Sequence, residues 1–289
     1  MPGIIRGVAR LTTTGSCELA TGENMEVTRV VVNGALGRMG QEVIRAVVRE
    51  PELKVVGAAE KNVTQKYLPL ADTLELVPFS SDLESLLTNC NPHVLVDFTV
   101  AEVAMKAARL ATKRKVNLII GTTGLSEEDL AEIDQLCREN GVGAVVTPNF
   151  SLGAVLLMHL ARIAARFFDH AEILEMHHDK KIDAPSGTAV NTARGMLEGR
   201  GKSFIFPKTE RETIPGTRGG QIQGIAIHSL RLPGFMAGQE VILAKAGETL
   251  SIRHEAISRE SYMPGVILAV KEVRNRKGLI HGLDALLNL

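Results

Sequence analysis

The first half of the chain alternates between short apolar strands and amphipathic helices. Val27 to Val32 and Lys54 to Ala59 have the apolar, β-branched composition of buried strands, and a helical stripe between them ends at Pro51. Further elements are predicted as strands at Val94 to Phe98, Asn117 to Ile120 and Val142 to Val146, and as helices at Ala101 to Arg114 and after Ser126. This alternation predicts an α/β fold with a parallel sheet.

The pattern changes after Ser151, where a long apolar helix that carries His159 is predicted. A strand from Ala171 to Met176 and a helix to about Gly199 come next, and a loop rich in Gly, Pro and charge spans 200–221. Three strands then follow without intervening helices, at Gln223 to Leu230, Gln239 to Lys245 and Glu248 to Ala256. They predict a second α+β domain with a mostly antiparallel sheet. The final predictions are a helix that starts at Pro264, with an apolar run from Val266 to Val273, and a last helical turn at Leu283 to Leu289.

The composition of the chain argues against nucleic-acid-binding, membrane-spanning and disulfide-stabilised proteins. The 289 residues contain 33 Lys plus Arg and 33 Asp plus Glu, so nothing in the charge indicates a nucleic-acid partner. No apolar run approaches the ~18 to 20 residues of a membrane helix. The three cysteines lie far apart and outside any metal-ligand spacing, which fits a reducing compartment. We therefore expect a soluble, cytoplasmic protein.

Residues 1–24 show no hydrophobic period, and we expect a disordered extension there. Two interpretations stay open. Arg6 and Arg10, with no acidic residue before Glu18, resemble an organelle transit peptide, whereas Met25 is an alternative start just before the first strand. The second interpretation is favoured by the pattern.

A glycine-rich turn, Gly34-Ala35-Leu36-Gly37-Arg38-Met39-Gly40, follows the first strand, and the second strand ends in Glu60. Strand, glycine turn, helix, strand and acidic end form the dinucleotide-binding unit in its expected order. Glu60 is placed to accept hydrogen bonds from the adenosine ribose of NAD, whereas Lys61 could accommodate the 2′-phosphate of NADP. The sequence leaves NADH and NADPH both open.

Three further polar motifs occur at predicted strand ends, where ligands bind in doubly wound sheets. They are Asp97-Phe98-Thr99, Gly121-Thr122-Thr123-Gly124 and Thr147-Pro148-Asn149-Phe150-Ser151. Either of the last two, taken alone, is equally typical of an ordinary turn.

The densest chemistry lies in His177-His178-Asp179-Lys180-Lys181-Ile182-Asp183-Ala184-Pro185-Ser186-Gly187-Thr188, between a strand and a helix. Cations and helix-start amides can hold the carboxylates of a substrate, and an imidazole is a suitable proton donor near neutral pH. A shared metal ion is not expected, because adjacent residues of an extended segment point to opposite faces.

These motifs, together with Val96 to Thr99, His228 to Gly234 and Ser258 to Ser261, resemble the 4-hydroxy-tetrahydrodipicolinate (dihydrodipicolinate) reductase family from about Val27 to the C-terminus. The His-His-x-x-Lys-x-Asp-Ala-Pro-Ser-Gly-Thr element carries most of this resemblance. Residues 1–24 have no counterpart in the family.

The resemblance implies a Rossmann domain over 25–147 plus 261–289 and a substrate-binding, oligomerisation domain over 148–260 that builds a homotetramer. It implies NADH- or NADPH-dependent reduction of hydroxy-tetrahydrodipicolinate, a dicarboxylate, with loss of water, in the diaminopimelate route of lysine biosynthesis. By position, His177 and Lys181 match the family's catalytic residues, and His178, Gly187 and Thr188 match its carboxylate-binding residues. The cofactor positions fall on Gly34, Ala35, Leu36, Gly37, Arg38, Met39, Glu60, Gly121, Thr122, Thr123, Thr147, Pro148, Asn149 and Phe150.

Two rival functions have the same cofactor fold. A nucleotide-sensing protein would bind NADPH without turnover, and the intact His177 and Lys181 pair opposes this hypothesis. A dehydrogenase acting on an amino-acid semialdehyde would not need two carboxylate sites.

Overall fold

The computed structural model describes residues 26–71 and 73–289, so the predictions for residues 1–24 and for a start at Met25 lie outside it. In this part of the chain no helix is long and apolar enough to span a bilayer. The helices are α1 (Arg38–Arg49), α2 (Leu83–Cys90), α3 (Ala101–Lys113), α4 (Glu127–Asn140), α5 (Leu152–Ala164), α6 (Gly187–Arg200), α7 (Met263–Val273) and α8 (Leu283–Leu287).

The larger sheet has eight strands in the order β13-β7-β6-β5-β1-β2-β4-β3. Its strands are β1 (Thr28–Asn33), β2 (Leu53–Ala59), β3 (Tyr67–Pro69), β4 (Leu76–Ser80), β5 (Val94–Asp97), β6 (Asn117–Ile120), β7 (Gly143–Val146) and β13 (Gly278–His281). All neighbours are parallel except β3 and β4. The chain runs outward from β1 through β2 and then returns to β5 on the other side of β1. This reversal of strand order confirms the predicted Rossmann-like sheet and places a crevice beyond β1 and β5.

The smaller sheet has five strands in the order β12-β11-β8-β10-β9. They are β8 (His170–His177), β9 (Gly220–Ile222), β10 (Ile225–Arg231), β11 (Ala237–Lys245) and β12 (Glu248–Ala256). Only β8 and β10, among the pairs of this sheet, run parallel, so the prediction of a mostly antiparallel sheet is confirmed. The strand predicted at Gln223 to Leu230 starts later, because Gln223 and Gly224 have positive φ and form the turn between β9 and β10.

Hydrophobic side chains form three clusters that fix these layers. One lies between the larger sheet and α1, α7 and α8, and includes Val30, Val43 and Val270. A second covers the opposite face beneath α3 and α4, and the third fills the space between the smaller sheet and α5 and α6. The larger sheet is therefore buried on both faces, as its near-continuous apolar strands require.

The sequence pattern missed elements at two places. Residues 61–93 contain β3, β4 and α2, and α2 begins at the Asp82 cap, whose carboxylate accepts a hydrogen bond from the Ser85 amide at 3.0 Å. Residues 278–281 form β13, which pairs with β7 and completes the larger sheet beside the expected C-terminal helices. Both regions have short, partly exposed strands, so their apolar pattern is weak.

Gly40 lies where α1 crosses the glycine turn, and a Cβ there would overlap the carbonyl oxygen of Gly34. We predict that Gly40→Ala destabilises the protein by about 1–3 kcal/mol, because the backbone must move to relieve the overlap. Gly195→Ala in α6 is the matched control, since a Cβ there meets open space and should be neutral or stabilising. Thermal unfolding of both variants checks this, and an unchanged melting temperature for Gly40→Ala would contradict it.

Candidate active site

A groove runs along the carboxyl ends of β1, β2 and β5, at the crevice where the strand order reverses. Its lining includes Gly34, Gly37 and Glu60 from the predicted cofactor set, together with Lys61 and Thr99. The two strand ends approach closely, because a Cβ on Gly34 would lie 2.9 Å from the carbonyl oxygen of Phe98. The predicted glycine turn therefore forms the floor of this groove.

The start of α1 has the features of a helix terminus that can bind an anion. Gly34 has φ of +78°, a conformation that glycine adopts without strain, and turns the chain sharply from β1 toward the helix. Gly37 caps α1 without a side-chain hydrogen bond, and the first turn, which includes Arg38 and Met39, has no acidic residue. Helix-start amides and the helix dipole favour a pyrophosphate here, so these residues fit a dinucleotide.

The Glu60 carboxylate lies against the same turn. It accepts hydrogen bonds from the backbone amide of Leu36 at 3.1 Å and from that of Lys61 at 2.9 Å. These contacts hold the carboxylate at the edge of the turn and leave acceptor capacity on both oxygens, since a carboxylate has about four lone-pair sites.

A fully buried carboxylate, Asp97, joins three strand ends around the groove. It accepts hydrogen bonds from Asn33 Nδ2 at 2.6 Å, Thr99 Oγ1 at 2.7 Å and Thr122 Oγ1 at 2.9 Å. Thr122 also accepts a hydrogen bond from the Thr99 amide at 3.0 Å. The hydroxyl of Thr122, a predicted cofactor residue, therefore contributes to the shape of the site.

The loops after β5, β6 and β7 meet at a pair of aromatic rings. The rings of Phe98 and Phe150 are 5.7 Å apart, and a Cβ on Gly121 would overlap Phe98. Thr147 Oγ1 donates to the carbonyl of Asn149 at 3.1 Å and braces the loop that carries Phe150. Ala35 is buried in the turn, whereas Thr123 and Pro148 are exposed on these loops.

A cavity lies between this loop and the smaller sheet. Among its lining residues are Asn149 from the cofactor side, and His177, Thr188, Gln239 and His254 from the sheet and α6. The structure therefore brings predicted cofactor, catalytic and substrate residues to one place. His178, Lys181 and Gly187 lie beside it on the loop after β8 and at the start of α6.

His177 is held by a buried acid two residues earlier on β8. Its Nδ1 is 2.6 Å from the carboxylate of Glu175, which is fully buried and also accepts a hydrogen bond from Arg231 at 2.7 Å. Burial alone would raise the pKa of Glu175, but hydrogen bonds from His177, Arg231 and Ser229 and the charge of Arg231 lower it to about 2. An ionised Glu175 fixes the Nδ1 proton of His177, so Nε2 is the ring nitrogen available for chemistry.

The loop between β8 and α6 is tied to this acid. The ammonium group of Lys181 lies 2.6 Å from Asp183 Oδ1, and Arg231 donates to the carbonyl oxygen of Asp183 at 2.7 Å. The hydrogen bond from Lys181 and the ionic attraction lower the pKa of Asp183. Lys181 is therefore paired with Asp183 here rather than exposed in the cavity.

Helix α6 begins beside the cavity, and the first backbone amides of the helix are available as hydrogen-bond donors. Ser186 caps it by accepting a hydrogen bond from the Ala189 amide at 3.2 Å, and its first turn has no acidic residue. The amides of Gly187 and Thr188 come first in the helix, where they can bind a carboxylate.

Sequence reasoning assigned no role to Glu175, Gln239 or His254. Glu175 could have been found, because residues two apart on a strand share a face and a carboxylate commonly orients a histidine. His254 lies on β12, where its Nε2 is 3.3 Å from Ser151 Oγ and burial lowers its pKa. Within residues 26–71 and 73–289, no three His, Cys, Asp or Glu side chains are grouped as a metal ion requires.

Comparison with known proteins agrees with this architecture. Residues 28–150 match the family model "Dihydrodipicolinate reductase, N-terminus", and residues 153–287 match "Dihydrodipicolinate reductase, C-terminus". The 4-hydroxy-tetrahydrodipicolinate reductase of Dehalococcoides mccartyi is 50% identical over 92% of this chain and 100% of its own. The enzyme of that name from Moorella thermoacetica is 48% identical over 90% of this chain and 97% of its own.

Solved structures show the same relationship. A dipicolinate-bound dihydrodipicolinate reductase from Paenisporosarcina sp. TG-14 superposes with a TM-score of 0.80 at 36% identity, covering 89% of this chain and 98% of that chain. An amine dehydrogenase from Mycobacterium smegmatis shares only the fold, with a TM-score of 0.60 at 15% identity over 89% of this chain and 95% of that chain. The glycine turn, the strand-end motifs and the His177 site thus lie within a sequence match that spans both sheets, and this chain belongs to the dihydrodipicolinate reductase family.

Proposed function

We propose that the protein catalyses NADH- or NADPH-dependent reduction of 4-hydroxy-tetrahydrodipicolinate to tetrahydrodipicolinate, with loss of water, in the diaminopimelate route to lysine. The observation that carries this proposal is the His177–Glu175 pair, which opens on a cavity shared with Thr188 and with Asn149 of the cofactor side. A coupled assay with the upstream synthase, run separately with NADH and NADPH, tests it. Nucleotide binding without turnover would favour a sensor instead.

The dinucleotide would be held by the groove at the end of β1. In this proposal the Gly34 to Met39 turn and the start of α1 bind the pyrophosphate, Glu60 binds the adenosine ribose, and the 121–123 and 147–150 loops border the nicotinamide. When bound, the cofactor supplies the hydride. Glu60 and Lys61 both border the groove, which supports use of either NADH or NADPH.

His177 is the proposed proton donor. Loss of the ring hydroxyl with a proton from the neighbouring ring carbon, as water, leaves a conjugated carbon–carbon and carbon–nitrogen system. Hydride addition to that system leaves an enamine-like anion, which takes up the Nε2 proton of His177. Glu175 is a positioning residue: its hydrogen bond fixes the Nδ1 proton of His177 and holds the ring plane. The partly buried guanidinium of Arg231 keeps Glu175 ionised.

The substrate carboxylates need oriented donors and positive charge. We propose that the amides of Gly187 and Thr188, with His178, bind carboxylate groups and that Lys181 stabilises developing charge. Lys181 would exchange its contact with Asp183 for one with the substrate, and the loop position of both residues supports this exchange.

Assembly and location complete the proposal. We infer a homotetramer formed through the domain of residues 148–260, acting in the cytoplasm, with the dinucleotide domain formed by 25–147 and 261–289. The edge strand β12 supports the assembly, because eight of its nine residues are partly or fully exposed, including Leu250. Each sheet has its own helices and its own hydrophobic cluster, which supports the division into two domains.

We predict that His177→Gln lowers kcat by about 100-fold or more, because the proton donor is lost, while NADPH affinity stays nearly unchanged. Steady-state kinetics and a nucleotide titration measure the two effects. His159→Gln in α5 is the matched control and should retain activity, since His159 lies outside the cavity around His177. An unchanged kcat for His177→Gln would remove His177 from the mechanism.

Glu175→Gln tests the positioning role separately. We expect kcat to fall by about tenfold or more while NADPH affinity stays nearly unchanged, because the hydrogen bond that orients the His177 ring is weakened. A matching loss of NADPH affinity would mean that Glu175 only supports the fold.

The same variant should change acid stability. The pKa of Glu175, about 2 in the folded protein, lies below its usual value of 4.5, so the ionised group stabilises the fold above pH 4.5 and loses this effect as pH falls toward 2. The melting temperatures of wild type and Glu175→Gln should therefore converge over that range.

Glu60→Ala tests the ribose contact. We predict a larger loss of affinity for NADH than for NADPH, because only NADH presents a free 2′-hydroxyl to the carboxylate. Isothermal titration with both nucleotides measures the difference. Glu102→Ala, at an exposed acid that lines the same groove, is a control for nonspecific charge loss. Equal weakening of NADH and NADPH in Glu60→Ala would exclude the ribose contact.

A further inference from the structure

Gln239 is a buried polar residue beside the proposed proton donor. It lies on β11 directly opposite Glu175 of β8, is 5% exposed, and lines the cavity that contains His177 and Thr188. A buried amide in this position should have all its hydrogen-bonding groups satisfied.

The amide orientation of Gln239 follows from its neighbours. Thr192 Oγ1 donates its one proton to the carbonyl oxygen of Thr188 at 2.8 Å, so it can only accept from Gln239. Gln239 Nε2 donates to it at 2.8 Å. The carbonyl oxygen Oε1 therefore lies on the other side of the amide.

That oxygen, Oε1, is buried and has no hydrogen-bond partner among the described residues. An acceptor left without a donor is unfavourable, so a donor from a ligand or a water molecule would be bound there. The carboxylates of the proposed substrate cannot supply one, because they are acceptors themselves. The ring hydroxyl of the substrate can.

We propose that Gln239 determines specificity by accepting a hydrogen bond from the ring hydroxyl of the substrate. This inference rests on the proposed function and adds a residue to it. The Gln239 amide oxygen would recognise a hydrogen-bond donor of the substrate, whereas His178, Gly187 and Thr188 would bind its carboxylates. Through Thr192, the same side chain braces the first turn of α6.

The test compares two ligands that share carboxylates but differ in the hydroxyl. Gln239→Leu should lower kcat/KM for 4-hydroxy-tetrahydrodipicolinate by about tenfold, because the acceptor is lost. Inhibition by dipicolinate, an aromatic dicarboxylate without a ring hydroxyl, should stay nearly unchanged. Gln239→Glu, which keeps an acceptor oxygen, should retain more activity than Gln239→Leu.

Thr192→Val is the matched control for a purely structural role, because it breaks the contact with Gln239 but keeps the amide oxygen. If Gln239→Leu and Thr192→Val both lower kcat/KM for the substrate and the affinity for dipicolinate to the same extent, Gln239 only stabilises α6. Full activity of Gln239→Leu would mean that water alone satisfies Oε1, which also overturns the proposal. Gln239→Met replaces the leucine variant if that protein does not fold. A wild-type enzyme without turnover would instead refute the proposed function.

Discussion

The ion pair between Glu175 and Arg231 is the constraint on which the substrate side of the molecule depends. A fully buried carboxylate is costly unless cations and hydrogen bonds compensate it, and Arg231 and His177 both do so here. The same contacts connect β8, β10 and the loop at Asp183. Removing any one partner would leave a buried charge, so the histidine, the arginine and the loop are fixed together.

The cofactor side is held in a comparable way by Asp97. Its carboxylate connects the ends of β1, β5 and β6 through Asn33, Thr99 and Thr122. The glycine turn can then stay open for a ligand, because its position does not depend on a side chain inside the groove. Both halves of the site thus use a buried acid to support neighbouring loops.

Much of the fold could be predicted from local pattern. The alternation of strands and helices, the glycine turn and the loop from His177 to Thr188 depend on residues close in sequence, and the structure has them where the pattern predicts. The polar partners were harder, because Glu175 meets Arg231 56 residues away and Gln239 meets Thr192 47 residues away. Sequence spacing does not reveal such contacts, and short exposed strands such as β3 lack a strong hydrophobic signal.

The last strand has a consequence for how the chain is made. β13 belongs to the sheet that begins with β1, and α7 packs on that sheet, yet both are synthesised after all five strands of the smaller sheet. Until then, β7 is an unpaired edge and the apolar surface that α7 covers is open to water. Synthesis therefore produces the smaller sheet before the larger sheet can close, and in the interval the unpaired edge and the apolar surface are prone to association.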